Sequence, residues 1–409
     1  MHNESFFNID FISLLKPRFS TGSLGSTSDL GAYNSLSLLN PQATVLGTGF
    51  LIPSDVANSN LTWQTNTETN YGIDLGFANN RIRMGVDYYT SDIEDILINQ
   101  SVSEVFGTPS IRLNSGDVRS SGVEVELSAG IIRKENLSWD FSANISTVKT
   151  EITDLGGLDE LPQAIYGQSG RGPVFRNYVG GEIGEMWGIE TIGMVEDSFI
   201  EDPTRAIGVN SSAYYVVDQN GDGVIDKTKT VEEGGDLVKI GQNTPEFYYG
   251  FNSTLNFKDF DMSFQFQGAQ GGDVWNVDPI YYNSEFGGRV RDSFDANSDG
   301  IADHNGEFYL DSNNQLDAQL QDASFLALRN LTIGYTFKPE LTNKIGINSA
   351  RVYVADTNLL YLWGDDYTSY NPEGVDTTQS DYLGPTTYGV QIGSSPIVRS
   401  FTFGFNVNF

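Results

Sequence analysis

The sequence predicts an all-β protein, an antiparallel up-and-down β-barrel that crosses a membrane with its strands. Three observations predict this fold. Apolar and polar residues alternate in many short segments, as they do in strands with one wet face. Short and long connections alternate between those segments. Tryptophans lie where strands meet connections, as expected at a membrane boundary. The 409 residues suffice for one large barrel.

The last nine residues show the alternation most clearly. The apolar side chains are predicted to face lipid: Phe401, Phe403, Phe405, Val407 and Phe409. The small or polar ones are predicted to face the lumen: Thr402, Gly404, Asn406 and Asn408. The length matches the roughly 9–11 residues of a tilted transmembrane strand.

Taken in order, the chain begins with a strand at residues 9–20, weakened by Pro17. A long polar stretch, 21–62, follows. Further strands are predicted at 67–77, 82–88, 123–127, 137–145, 247–257, 260–266, 325–337, 350–361 and 401–409. This gives ten to twelve strands.

The connections separate into two groups. Turns are short at 79–80, 133–136 and 258–259 and moderate at 338–349, and all fall on one side of the predicted sheet. The other side carries long loops, chiefly 153–244, 275–323 and 362–397. Outer-membrane barrels have short periplasmic turns and long extracellular loops, whereas a soluble sandwich has no reason to sort its loops by side.

Tryptophan placement is a second, independent indication of a membrane barrel. Trp63, Trp275 and Trp363 lie where long loops meet strands, and Trp139 follows a short turn. An indole ring is apolar but carries a polar N–H, so it favours the boundary between water and lipid. We therefore expect these side chains at the two rims of the barrel.

Composition excludes several classes of function. The chain has 23 Lys and Arg against 54 Asp and Glu, a net charge of −31, so nucleic acid is not an expected partner. It has no cysteine and only two histidines, which excludes thiolate sites and leaves little for His-based catalysis or zinc binding. No catalytic spacing is recognisable, so we expect no enzyme activity. The first residues lack the features of a signal peptide.

Residues 218–226 (DQNGDGVID) have the spacing of a calcium-binding loop. Oxygen donors fall at the positions such a loop uses, and Gly223 allows its sharp turn. The candidate ligands are Asp218, Asn220, Asp222, the Val224 carbonyl and Asp226. Lys229 stands at the twelfth position, where a bidentate Glu is expected. The alternative is a turn stabilised by Asx side chains without any ion.

A second copy of the spacing follows in the next long loop. Its candidate ligands are Asp295, Asn297, Asp299, the Ile301 carbonyl and Asp303. Gly306 stands at its twelfth position and Glu307 comes next. We expect Ca²⁺, if bound, to brace these extracellular loops rather than to take part in a reaction. No other cofactor is expected.

Several blocks resemble the SusC/RagA-type TonB-dependent outer-membrane transporters of Bacteroidetes-like bacteria. Residues 121–127 (SGVEVEL) and 323–335 (ASFLALRNLTIGY) resemble two strands of that family, and YNPE at 370–373 resembles a loop motif. Further similar blocks are 61–65 with 71–74, 79–89, 179–188 and 218–250. The resemblance covers about residues 50–409 in the family's order.

The resemblance implies a 22-stranded barrel, of which this chain supplies ten to twelve strands. It implies a location in the outer membrane of a Gram-negative bacterium and the import of oligosaccharides or peptides. It also implies a SusD-like surface lipoprotein as partner, and contact with the TonB complex through an N-terminal region. The plug domain, the TonB-contacting segment and the signal peptide of the family have no counterpart in residues 1–409. The chain is therefore interpreted as the C-terminal portion of such a receptor, with outer-membrane lipid around it.

Two alternatives remain open at this point. The first is a self-contained small pore in the outer membrane without a plug. The second is a soluble, secreted, calcium-braced all-β binding or adhesion protein. Conductance in planar bilayers separates the first from an incomplete barrel. A plugless pore conducts, whereas an incomplete barrel has unpaired strand edges that leave backbone groups in lipid without hydrogen bonds.

Overall fold

We analysed a computed structural model of the chain. It describes residues 9, 11–28, 30–31, 33–36, 39–45, 48–53, 56–101, 110–161, 164–165, 174–194, 214–276, 316–364, 367–374, 389–391 and 393–409. None of the helices in these ranges is long and apolar enough to span a bilayer.

Strands make up most of the described chain. The first eleven are β1 (Ile12–Ser26), β2 (Leu39–Val45), β3 (Thr48–Pro53), β4 (Gln64–Phe77), β5 (Ile82–Ser101), β6 (Ser110–Lys134), β7 (Leu137–Ser146), β8 (Lys149–Leu155), β9 (Ala164–Ile165), β10 (Val174–Phe175) and β11 (Glu185–Gly188). The others are β12 (Thr191–Met194), β13 (Tyr214–Val216), β14 (Val238–Gln242), β15 (Phe247–Phe257), β16 (Phe260–Gln270), β17 (Asp273–Asn276), β18 (Leu320–Asp322), β19 (Phe325–Thr336), β20 (Ser349–Trp363), β21 (Val390–Gln391) and β22 (Ser400–Asn408). Across the ranges given above, helix is limited to α1 (Pro339–Thr342) and 3-10 turns at Val231–Glu233, Asp317–Gln319 and Asn343–Ile345.

One large antiparallel sheet organises these strands. Its order is β1-β4-β5-β6-β7-β15-β16-β19-β20-β22, with β8 added to the long outer part of β6. Along this ten-strand path every neighbour is the previous or next path strand along the chain, which is the up-and-down topology that the sequence predicts. Within the described residues β1 pairs with β4 and β22 pairs with β20, and β1 and β22 do not pair with each other.

The alternation of short and long connections is confirmed. Tight turns join β4 to β5, β6 to β7 and β15 to β16, and the segment that contains α1 joins β19 to β20. In the first turn Ala78, Asn79 and Asn80 all have positive φ, a conformation that Asn tolerates better than most residues. Lys258 has positive φ in the β15–β16 turn. These turns lie at one end of the sheet, and the long connections lie at the other.

The two faces of the sheet differ as the alternation predicts. In-register partners across the apolar face include Phe405 with Val352, and Phe403 with Val354. Phe403 is 80% exposed and Phe405 is 76% exposed, so no other part of the described chain covers them. The polar face carries Asn, Gln, Ser, Thr and charged residues. The assignment of alternate residues of β22 to two faces is therefore confirmed.

Two parts of the chain differ from the expectations. β1 continues to Ser26, and the stretch predicted as a polar connection contains the β2–β3 hairpin. Pro17 lies within β1 opposite Ile73, on a strand with one sheet neighbour, where a missing backbone N–H costs little.

The expectation for Trp275 was wrong. Its side chain is fully buried rather than placed at a membrane rim, because it lies in the core of the folded loops. Trp63 is 55% exposed and Trp363 is also exposed, as rim positions require.

Candidate functional site

The polar face of the sheet is the surface that a solute would meet inside a barrel. One row of aligned residues crosses six neighbouring strands from β5 to β19. It consists of Arg83, Ser128, Ser142, Asn252, Gln265 and Asn330. Each of these side chains is polar, and the Asn and Gln amides both donate and accept hydrogen bonds. Such a row suits a water-filled lumen.

Ion pairs reach across whole strands on this face. Arg351 of β20 donates from Nε and Nη2 to Asp261 of β16 at 2.9 and 2.5 Å. The strand between them, β19, has Gly334 at this level, where a Cβ atom would lie 2.4 Å from Arg351 Nη2. Glycine is therefore required for the pair to span the strand.

The same arrangement occurs at the other edge of the sheet. Arg18 of β1 donates to Asp87 of β5 at 2.6 and 2.8 Å, passing over Gly72 of β4. It also donates to Asp74 at 3.0 Å. Fork-shaped guanidinium–carboxylate contacts of this kind are strong and directional. They neutralise acidic residues on the polar face and fix the strands relative to one another.

The described segments of the long loops fold into a common layer beyond the sheet. Phe175, Met186, Trp275 and Val390 form its buried core. These residues come from three different loops, the ones predicted at 153–244, 275–323 and 362–397. β17 pairs with β18 in antiparallel orientation and with β21 in parallel orientation, which joins two of the loops through backbone hydrogen bonds. We call this body the loop layer.

A charged network stabilises one part of the loop layer. Glu185, almost fully buried, accepts hydrogen bonds from Tyr178 Oη, Trp187 Nε1 and Lys239 Nζ at 3.0–3.2 Å. Arg176 forms a two-pronged pair with Glu160 and lies over the Trp187 ring. Burial and the neighbouring Glu185 raise the pKa of Tyr178 to about 12, so the phenol stays protonated as a donor at neutral pH. Sequence reasoning missed this network because no periodic pattern or motif links residues 176–187 to Glu160 and Lys239.

A second contact fixes the loop motif YNPE to the polar face. The Glu373 carboxylate accepts hydrogen bonds from Arg329 Nη2 and from Tyr361 Oη, the latter at 2.6 Å. Arg329 lies at an irregularity of the β19–β20 pairing, between Leu328 and Asn330. Its guanidinium also lies over the rings of Phe325 and Tyr361. The loop is thus held against the wall of the sheet.

Replacing Glu373 by Gln should release this loop. The variant keeps the side-chain size but removes the charge that Arg329 and Tyr361 share, at an expected cost of about 1–2 kcal/mol after allowance for partial solvent exposure. Amide hydrogen exchange of residues 367–374 should become faster. Glu340→Gln in α1 is the control and should leave it unchanged. Equal exchange in Glu373→Gln and the parent chain would contradict this role.

The first calcium-like loop has a compact turn geometry. The Asp218 carboxylate accepts hydrogen bonds from the backbone N–H groups of Gly221 and Gly223, both at 2.7 Å. Gly223 has a φ of +80°, which suits the sharp turn. The buried Asp236 carboxylate accepts from the N–H groups of Gln219 and Asp226 at 2.7 Å and closes the loop from outside. No motif in the sequence indicates Asp236, since it lies beyond residues 218–226.

The remaining candidate ligands of this loop stay at its surface. Hydrogen bonds from the Thr228 hydroxyl and N–H, with Lys229 nearby, lower the pKa of Asp226. Within the ranges that the structure describes, no three His, Cys, Asp or Glu side chains come together as a metal-ligand group. Calcium binding at the first loop therefore stays a prediction. The second copy, with Asp295, Asn297, Asp299, Ile301 and Asp303, lies outside the described residues.

Comparison with known families agrees with this architecture. The family described as "TonB dependent receptor-like, beta-barrel" matches residues 17–163, which include β1 and β4–β8 of the large sheet. Over these residues the chain is similar to the β-barrel part of the TonB-dependent receptors. Outer-membrane barrels have short periplasmic turns, long extracellular loops and an apolar face toward lipid, and the turns, long connections and two faces of this sheet are arranged in the same way.

Named relatives extend the similarity over the rest of the chain. TonB-dependent receptor P3 of Formosa agariphila is 27% identical over all of this chain, and P26 of the same organism is 28% identical over 97% of it. TonB-dependent receptor SusC of Bacteroides thetaiotaomicron is 24% identical over 86% of the chain. The chain spans 41%, 40% and 32% of the lengths of these relatives, respectively.

Solved structures show the same fold. The RagAB peptide importer matches all of this chain with TM-scores of 0.71 in its open-open state and 0.72 in its closed-closed state. Sequence identity is 22% in both, and the chain covers 41% and 42% of the solved chains. The resemblance to SusC/RagA-type receptors and the predicted barrel architecture are thus both confirmed.

Proposed function

We propose that this chain forms part of the wall and the extracellular loop layer of an outer-membrane receptor that imports a nutrient with energy supplied through TonB. The observation that carries the proposal is the continuous ten-strand sheet with one apolar and one polar face. The apolar face suits lipid and the polar face suits an aqueous path. The family match of residues 17–163 supports the same function.

The proposed substrates are oligosaccharides or peptides. Support comes from the relative named SusC and from the fold shared with a peptide importer. The proposed partners are a SusD-like surface lipoprotein at the loop layer and the TonB complex through parts of the receptor outside this chain. None of these roles requires bond-making chemistry, so the proposed function is not enzymatic.

Nutrient uptake by cells tests this proposal. Cells that carry the gene should accumulate a labelled oligosaccharide or peptide, and cells from which it is deleted should not. Dissipating the proton-motive force should abolish the difference, because TonB-linked import needs it. Recovery of the chain in the outer-membrane fraction is a separate requirement. Unchanged uptake of both substrate classes after deletion would refute the proposed import.

Calcium binding by residues 218–226 is proposed as a brace for the extracellular loop. Adding Ca²⁺ should slow amide exchange of this loop, since the ion would tie together Asp218, Asn220 and Asp222. Asp222→Asn should reduce the calcium-dependent protection several-fold, because a neutral amide is a weaker ligand than a carboxylate. Mg²⁺ at equal concentration is the control. No change in exchange on adding Ca²⁺ would rule out the site.

A further inference from the structure

A second polar feature lies on the same face of the sheet, close to its periplasmic end. It is a cavity of about 720 Å³ bounded by the β4–β5 turn and by β5, β6, β7 and β15. Three of its lining residues are arginines, Arg81, Arg83 and Arg133, and one is an acid, Asp140. Its other polar lining residues are Asn79, Asn80, Ser128, Ser142, Asn252 and Thr254. We call it the arginine cavity.

Two of the three arginines are held in place by the chain itself. Arg81 donates from Nε and Nη2 to the backbone carbonyls of Gly130 and Ile131. Arg133 donates to Asp140 at 3.2 Å and lies across Gly130, where a Cβ atom would be 2.5 Å from Arg133 Nε. These side chains therefore lose little conformational freedom if a ligand binds.

The third arginine has no such partner. Arg83 makes neither a hydrogen bond nor an ion pair with the residues that the structure describes. It also borders a neighbouring depression that contains Asp74 and Glu126. Asp74 is already paired with Arg18, at 2.9 Å. The donors of Arg83 are thus available to a group that enters the arginine cavity.

The charge of the cavity is opposite to that of the chain. Three guanidinium groups and one carboxylate leave an excess of positive charge in a protein whose net charge is −31. Like charges gathered on a partly enclosed surface repel one another unless an anion compensates them. A guanidinium presents its donors in a planar fork, which matches the two oxygens of a carboxylate.

We propose that the arginine cavity binds a carboxylate-bearing group. Arg83 supplies an unpaired guanidinium group, and Arg81 and Arg133 supply positive charges that the chain holds in place within the same cavity. The amides of Asn79, Asn80 and Asn252 offer further donors. The group belongs either to a small acidic solute or to an acidic segment of the receptor outside this chain. The proposal does not depend on transport, because binding can be measured on the purified chain.

Isothermal titration of the full chain in detergent at low ionic strength tests the proposal. The probes are citrate, a short peptide with two adjacent glutamates, and erythritol as an uncharged control. Saturable binding of citrate or of the peptide is expected, and none of erythritol. Tighter binding of citrate assigns the cavity to a solute, and tighter binding of the peptide assigns it to a protein segment.

Variants locate the binding within the cavity. Arg83→Gln and Arg133→Gln should each weaken binding by about tenfold, the value of one lost charge-assisted hydrogen bond. Arg112→Gln is the matched control, because it removes the same charge from β6 at a site away from the cavity, where the Arg112 guanidinium donates a hydrogen bond to Asn99. This variant should bind the probes as the parent chain does. Circular dichroism verifies the fold of each variant. Absence of saturable binding by the parent chain, or equal loss in all three variants, would overturn the proposal.

Discussion

Trp275→Ala is expected to unfold the loop layer while the large sheet remains intact. The indole is 0% exposed and is surrounded by Phe175, Met186 and Val390 from two other loops. Removing a buried Trp side chain costs about 3–5 kcal/mol because a cavity remains that its neighbours fill only in part. A small body of loop segments has little stability in reserve, so this loss should expose its chain.

Limited proteolysis and near-ultraviolet circular dichroism measure the effect. Cleavage in the described loop segments should accelerate, whereas the β-sheet signal in the far ultraviolet should persist. Trp275→Phe should be far milder: the indole Nε1–H of Trp275 has no hydrogen-bond partner among the described residues, so Phe loses mainly volume. Trp63→Ala, at an exposed position, should behave like the parent. Equal sensitivity of the three variants would show that the layer does not depend on this core.

Phe403→Lys should prevent stable assembly in the outer membrane. Phe403 lies in the middle of β22 on the lipid-facing side, paired with Val354 and 80% exposed. A lysine on the lipid face near the bilayer midplane costs about 2–4 kcal/mol. The lost burial of the phenyl ring in lipid adds to this cost. The amount of folded chain recovered from outer membranes should therefore fall at least tenfold.

The neighbouring residue provides the matched control. Thr402→Lys places the same side chain on the same strand, but on the polar face, opposite Ala355. There the ammonium group can remain hydrated, so recovery should stay within about twofold of the parent. If both lysine variants were recovered equally, the two faces of β22 would have been assigned wrongly.

Local pattern was enough to predict the large sheet. Alternation such as that of residues 401–409 assigns each side chain to a face, because strand geometry repeats every two residues. Turn residues such as Asn79 and Asn80 determined where strands reverse, since few residues accept positive φ. The strand order then followed from the short connections. These signals all depend on neighbours in the sequence.

The interactions that a solute or partner would meet could not be predicted in this way. Arg351 and Asp261 are 90 residues apart, and Arg329 and Glu373 are 44 apart. Trp275 had the sequence context of a rim residue and is instead the core of the loop layer. Its neighbours come from segments of irregular length, for which no periodic pattern predicts which side chains meet.

The sequence by itself determined an antiparallel barrel-type sheet, its two faces, and the side on which its long loops lie. Hydrophobic periodicity and turn chemistry are local properties, and they suffice for these features. Only the tertiary structure decided that three loops share one core, that ion pairs pass over Gly72 and Gly334, and that Arg81, Arg83 and Arg133 border one cavity. Each of these features requires residues distant in sequence to be brought together by strand register and loop packing.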